Sequence, residues 1–66
     1  MTMTLKAARV NAGLTQKQVA EHIGVNKGTV CSWETGKTDP SIATFAKLCD
    51  LYGVQPNDVF LPIKSN

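Results

Sequence analysis

Gln16 to Gly36 reads QKQVAEHIGVNKGTVCSWETG, and the order of small, apolar and polar residues in it decides the fold. Val19, Ile23, Val30 and Trp33 stand where two short helices, one on each side of Gly24, can turn them toward one core. Ala20 is small enough to let the second of those helices cross closely over the first, and Gly24 accepts a positive φ without a Cβ penalty, so the chain can reverse tightly. Val25 plugs that turn from inside. On the second of the pair, Asn26, Thr29, Val30 and Trp33 share one face, and Lys27, Gly28, Cys31 and Ser32 fall on another that is polar or small. One face to pack and one left bare is the pattern of a helix held out for contact.

Working outward, helix punctuation recurs along the chain and predicts five short helices. The first spans about Thr4 to Ala12, with Leu5, Ala8 and Ala12 as candidates for its inner face and Gly13 as its stop. The second opens at Thr15, whose hydroxyl can cap free backbone N–H groups, and ends at Gly24. Asn26 is a second good cap, opening a third helix that reaches Glu34 before Gly36. Asp39-Pro40-Ser41 begins the fourth, with either Asp39 or Ser41 as its cap, and Ile42, Phe45, Ala46, Cys49 and Tyr52 make an apolar stripe that Gly53 closes. Pro56-Asn57-Asp58 introduces a last short helix carrying Val59 and Phe60. Nothing alternates with period two over a useful length, so no sheet is predicted.

Composition narrows the function. A chain of 66 residues suits one domain with a small core, expected over residues 1–66 with the paired helices at about 16–35 and a frayed tail at about 62–66. Aromatic residues are only 6% of the chain, too few for a stacking platform that grips single strands. A net charge of +2 is compatible with a polyanionic partner but does not establish one. Cys31 and Cys49 match neither zinc-site spacing nor a disulfide framework and read as reduced thiols, Cys49 packed in the core. His22 has no ligand partner at suitable spacing, and no nucleophile, base and orienting group assemble. Neither a cofactor, a metal nor catalysis is therefore expected. No run of residues suits a membrane span or a signal peptide, which points to the cytoplasm.

Leu14-Thr15-Gln16, Val19-Ala20, Ile23-Gly24-Val25, Val30, Trp33-Glu34-Thr35-Gly36-Lys37 and Pro40-Ser41 together resemble the Cro and phage-repressor type of helix-turn-helix DNA-binding proteins, the XRE family. The resemblance runs from Leu5 to Leu61. It implies a compact, all-α, five-helix domain like that of lambda repressor, with the helix-turn-helix at helices 2 and 3 and the third helix reading the major groove. It also implies that Arg9 pairs with Glu34, that Gln16 meets a phosphate, and that Lys27, Gly28 and Ser32 lie at base edges with Asn26 and Cys31 beside them. Thr35 and Lys37 would touch the DNA backbone. The chain departs from its relatives at Gly28, where many carry Gln, Arg or Ser, and Asp39 adds a negative charge near the interface, so modest affinity per monomer is expected.

The resemblance implies a transcriptional regulator, a repressor of the phage or mobile-element type, bound as a homodimer to an inverted-repeat operator in double-stranded DNA. Val54, Val59, Phe60, Leu61 and Ile63 form the apolar end expected to make the self-contact. A rival reading is an antitoxin-like or accessory module that binds a protein partner, favoured by Gly28 and the low net charge. A fragment of a longer regulator is a third.

Overall fold

The computed structural model describes residues 2–60. Its elements in order are strand β1 (Met3–Thr4), helices α1 (Leu5–Asn11), α2 (Gln16–Ile23), α3 (Lys27–Thr35) and α4 (Ile42–Tyr52), a single 3-10 turn at Pro56–Asp58, and strand β2 (Val59–Phe60). The architecture is all-α, with a two-residue parallel pairing that clips the last strand to the first, Met3 opposite Val59 and Thr4 opposite Phe60.

Local chemistry sets where three of the helices begin. The Thr4 hydroxyl accepts from the Ala7 N–H at 3.0 Å, and the Ser41 hydroxyl accepts from the Thr44 N–H at 3.1 Å. At α2 the arrangement is reciprocal: Thr15 Oγ1 accepts from the Gln18 N–H while Gln18 Oε1 accepts from the Thr15 N–H, at 3.1 and 2.9 Å. Such a box satisfies two backbone donors that the helix itself leaves without partners. Between α2 and α3 the chain turns at Gly24, whose φ of 87° is left-handed, and both the Gly24 and Val25 N–H groups donate to the Ala20 carbonyl. Val25 follows, half-buried against the core, as its place after the turn predicts.

The core draws on every helix. Leu5 and Ala8 come from α1, Val19 and Ala20 from α2, Val30 and Trp33 from α3, and Leu48, Cys49 and Tyr52 from α4, with Val59 of β2 closing one end. Helix α3 packs chiefly on α2 and also meets α1. Ala20 is buried in the core, and its carbonyl accepts both N–H groups of the turn that leads into α3.

Several expectations need correction. Among the described residues there are four α-helices, and the expected fifth helix is instead one 3-10 turn at Pro56–Asp58, after which the chain extends and carries Val59 and Phe60 into a strand. The strand pair contradicts the expectation of no sheet: segments of two residues are too short to show alternation, and their meeting depends on the helices returning the chain to its start. In α4 the buried stripe is rotated. Ile42 is 90% exposed and Ala46 is exposed, while Leu48, absent from the expected stripe, is fully buried. Apolar residues surround much of α4, so spacing alone admits more than one stripe, and the packing of α1 and α2 selects the one through Leu48, Cys49 and Tyr52. Ala12 is exposed just beyond α1, and Ser41 rather than Asp39 caps α4. Asn26 has the extended backbone of a cap residue, but its side chain makes no capping hydrogen bond. The expected tail at 62–66 lies outside the described residues.

Replacing Ala20 by Leu forces three further carbons into the α2–α3 crossing. We expect a loss of about 1–3 kcal/mol in urea or thermal unfolding; an unshifted midpoint contradicts the close approach of the two helices.

Candidate nucleic-acid interface

Helix α3 divides its residues sharply. Val30 and Trp33 are buried, whereas Lys27, Gly28 and Cys31 are exposed and Ser32 is half-buried. The structure thus brings together on the outer side of one helix four of the residues singled out from sequence. Asn26, exposed, precedes them, and Thr35 and Lys37 lie exposed at the far end of α3 and in the turn after Gly36. With a rise of about 1.5 Å per residue, Lys27 and Thr35 stand about 12 Å apart along the helix.

Gln16 joins the C-terminal end of this surface. It is half-buried at the start of α2, and its side-chain Nε2 donates to Glu34 Oε1 at 2.9 Å. The same carboxylate accepts from Arg9, Nε to Oε2 at 2.7 Å and Nη2 to Oε1 at 3.3 Å, so the expected Arg9–Glu34 pair is present as a two-pronged contact. Arg9 Nη1 also donates to the Leu14 carbonyl at 2.8 Å. Side-chain exposures of 11% for Arg9 and 4% for Glu34 mean that both charges have left most of their water. A pair in that position is tolerated only when the remaining donors and acceptors are filled, and here Leu14 and Gln16 fill them. Neither the Gln16 hydrogen bond nor the Leu14 carbonyl contact was foreseen from sequence; no spacing rule links residue 16 to residue 34 or marks a loop carbonyl as an acceptor.

Thr35 uses its hydroxyl inside the helix, donating toward the carbonyls of Cys31 and Ser32 at 3.0 and 3.4 Å. Gln16, by contrast, has a second amide N–H beyond the one given to Glu34. The Glu34 hydrogen bond holds the Arg9 guanidinium above its ordinary range against the opposing pull of desolvation. Burial, reinforced by Glu34, pushes the Tyr52 phenol up to about 12, and burial likewise raises the Cys49 thiol, with Asp50 adding to it. Both cysteines are free thiols, Cys31 exposed and Cys49 buried.

Other surfaces offer less. An open depression lined by Gln18, Glu21 and His22 draws on α2 alone. Among the described residues, no three His, Cys, Asp or Glu side chains gather as metal ligands, and no helix is long and apolar enough to cross a membrane.

The helix-turn-helix family profile matches residues 5–59, the span that runs from α1 through the first residue of β2. The chain belongs to the helix-turn-helix family, of the XRE and phage-repressor type. It is 36% identical over 61 residues to an uncharacterized HTH-type transcriptional regulator of Methanocaldococcus jannaschii, covering 92% of each chain. Over 50 residues it is 40% identical to the cryptic phage CTXphi transcriptional repressor RstR of Vibrio cholerae and to the HTH-type transcriptional regulator ImmR of Bacillus subtilis. Those matches cover 76% of this chain but only 45% and 39% of the two bacterial proteins, so the helix-turn-helix domain here spans less than half of either. No solved structure matches the chain. A helix-turn-helix domain is a binding module, and the exposed groups at α3 and just before it include a lysine, an amide and small side chains.

Two outcomes test this geometry. Arg9→Met strands the Glu34 carboxylate and should cost about 3–5 kcal/mol, while a double change to Arg9→Met with Glu34→Leu should recover most of that loss in a double-mutant cycle. Simple additivity of the two changes contradicts the pair. Because the Tyr52 phenol is raised from 10 to about 12, the folded state holds that proton more tightly than the unfolded chain does. Its contribution is complete below pH 10 and is lost as pH rises toward 12. Melting temperatures across that range should fall, and Tyr52→Phe should flatten the decline.

Proposed function

We propose that this chain is a sequence-specific regulator of transcription, a repressor of the phage or mobile-element type, that docks α3 in the major groove of operator DNA. The observation that carries the reading is the two-sided character of α3: Val30 and Trp33 anchor it in the core, and Lys27, Gly28 and Cys31 meet solvent. A major groove about 12 Å wide admits one helix, and base edges there present distinct donors and acceptors. Lys27 supplies the main donor, to guanine acceptors or a neighbouring phosphate. Ser32 adds a hydroxyl, with Asn26 and Cys31 beside the same edge and Gly28 contributing backbone alone.

Register comes from phosphate contacts at the other end. The second N–H of Gln16 is suited to a phosphate oxygen, and the start of α2 adds favourable partial charge for an anion. Lys37 contributes a cation, and Thr35 contacts the DNA backbone once its hydroxyl turns from the helix carbonyls. With few base-reading groups per copy, we infer that a homodimer reads two half-sites of an inverted repeat, about 34 Å apart. Its self-contact uses Val54 and Phe60, the latter 56% exposed; Val59, included in that patch from sequence, is instead 8% exposed within the core. Leu61 and Ile63 lie outside the described residues. Action on DNA in the cytoplasm completes the proposal, with the whole chain working as one binding unit.

Selection from random duplexes, followed by titration at several salt concentrations, tests it. Affinity should fall with salt at a log-log slope of about −0.9 per neutralised phosphate, and selected sites should show two-fold symmetry. Lys27→Ala should lose roughly 1–3 kcal/mol of binding to the best site while the melting temperature holds. Absence of any duplex shift at low salt, with a stoichiometric protein partner co-purifying, would establish the interaction-module reading instead.

A further inference from the structure

The glycines at Gly13, Gly24, Gly36 and Gly53 all stand at positive φ, a backbone conformation that side chains rarely adopt. Gly28 does not. It is the second residue of α3, in ordinary helical conformation, and a Cβ built on it meets nothing within 4 Å. The fold therefore asks for no glycine at this position, and glycine is among the poorest residues for a helix because it surrenders the most backbone freedom on folding. Its surroundings share the same economy: Cys31 and Ser32, one turn further on, are small, and Asn26 directs no cap across the helix start. The first turn of α3 consequently presents bare backbone to solvent, flanked by the long side chain of Lys27.

Resting on the DNA-binding reading, we propose that Gly28 sets how closely α3 approaches its duplex through the absence of a side chain: it lets the first turn of α3 seat against the DNA more closely than any other residue allows. At that distance the backbone itself lies against the groove wall, and Lys27 reaches its acceptor with its stem folded along the DNA. A β-carbon at position 28 would stand between helix and duplex, lifting Lys27 and Ser32 together from their partners. The fit is one of shape, so the penalty falls on the whole contact rather than on one base pair.

The test separates fold from interface because the two respond in opposite directions. In the full chain, Gly28→Ala and Gly28→Ser are compared with wild type for melting temperature and for affinity toward the duplex selected by the wild-type protein. Gly28→Ala should raise the melting temperature by roughly 2–5 °C, since it restores helix propensity in open space. Both variants should bind at least about tenfold more weakly. Equal or tighter binding by either variant overturns the inference, and so does a fall in melting temperature with Gly28→Ala, which would mean that the fold requires the glycine. If the wild-type chain selects no duplex at all, the DNA-binding reading falls and takes this inference with it; wild-type binding with unaffected variants removes the inference alone.

Discussion

The Glu34 carboxylate is almost wholly withdrawn from water, and an ionised group there is stable only if its oxygens are filled by donors held in place. Arg9 on α1 and Gln16 on α2 are those donors, so one carboxylate on α3 joins three helices. Removing any member leaves a buried charge or lone pair without a partner. The relative placement of α1, α2 and α3 is thereby fixed by directional bonds as well as by apolar packing, and direction is what a non-directional core cannot supply. In a small domain with limited surface to bury, such a constraint matters more than its net energy suggests.

The same network connects fold to function. Gln16 belongs at once to the support of Glu34 and, in the proposed complex, to a phosphate. Its amide has two N–H groups, so the bond to Glu34 orients the second without consuming it. Preorganisation of this kind lowers the entropy lost on binding, because the side chain is already placed before DNA arrives. At the opposite end of α3 the strategy is reversed: Asn26 makes no cap, Gly28 carries no side chain, and only Lys27 extends. One end is braced and the other is kept bare, both on a helix whose inner side is locked by Val30 and Trp33.

Much of this was legible in residue order because it is local. Thr15 and Gln18 form their box within a single turn, Ser41 caps the helix that follows it, and Gly24 reverses the chain through its own φ. The inward set on α2 and α3 is likewise set by spacing, since each of those helices has only one apolar side. Helix α4 was harder: Ile42, Ala46 and Leu48 all sit on helical periods with other apolar residues, and the facing helices decide which is covered. The Asn26 side chain shows the limit of residue preference, as a good capping type at a capping position makes no capping bond.

By itself, then, the amino-acid order determined the helical segments from α1 to α4, the tight reversal at Gly24 and the two-sided character of α3, because each arises from interactions within a few residues. The choice of Leu48 over Ile42 and Ala46, the bond from Gln16 to Glu34 and that from Arg9 to the Leu14 carbonyl, and the pairing of Met3–Thr4 with Val59–Phe60 came only with tertiary structure. Those contacts join residues distant in the chain, and a contact of that kind exists only once the helices between have packed.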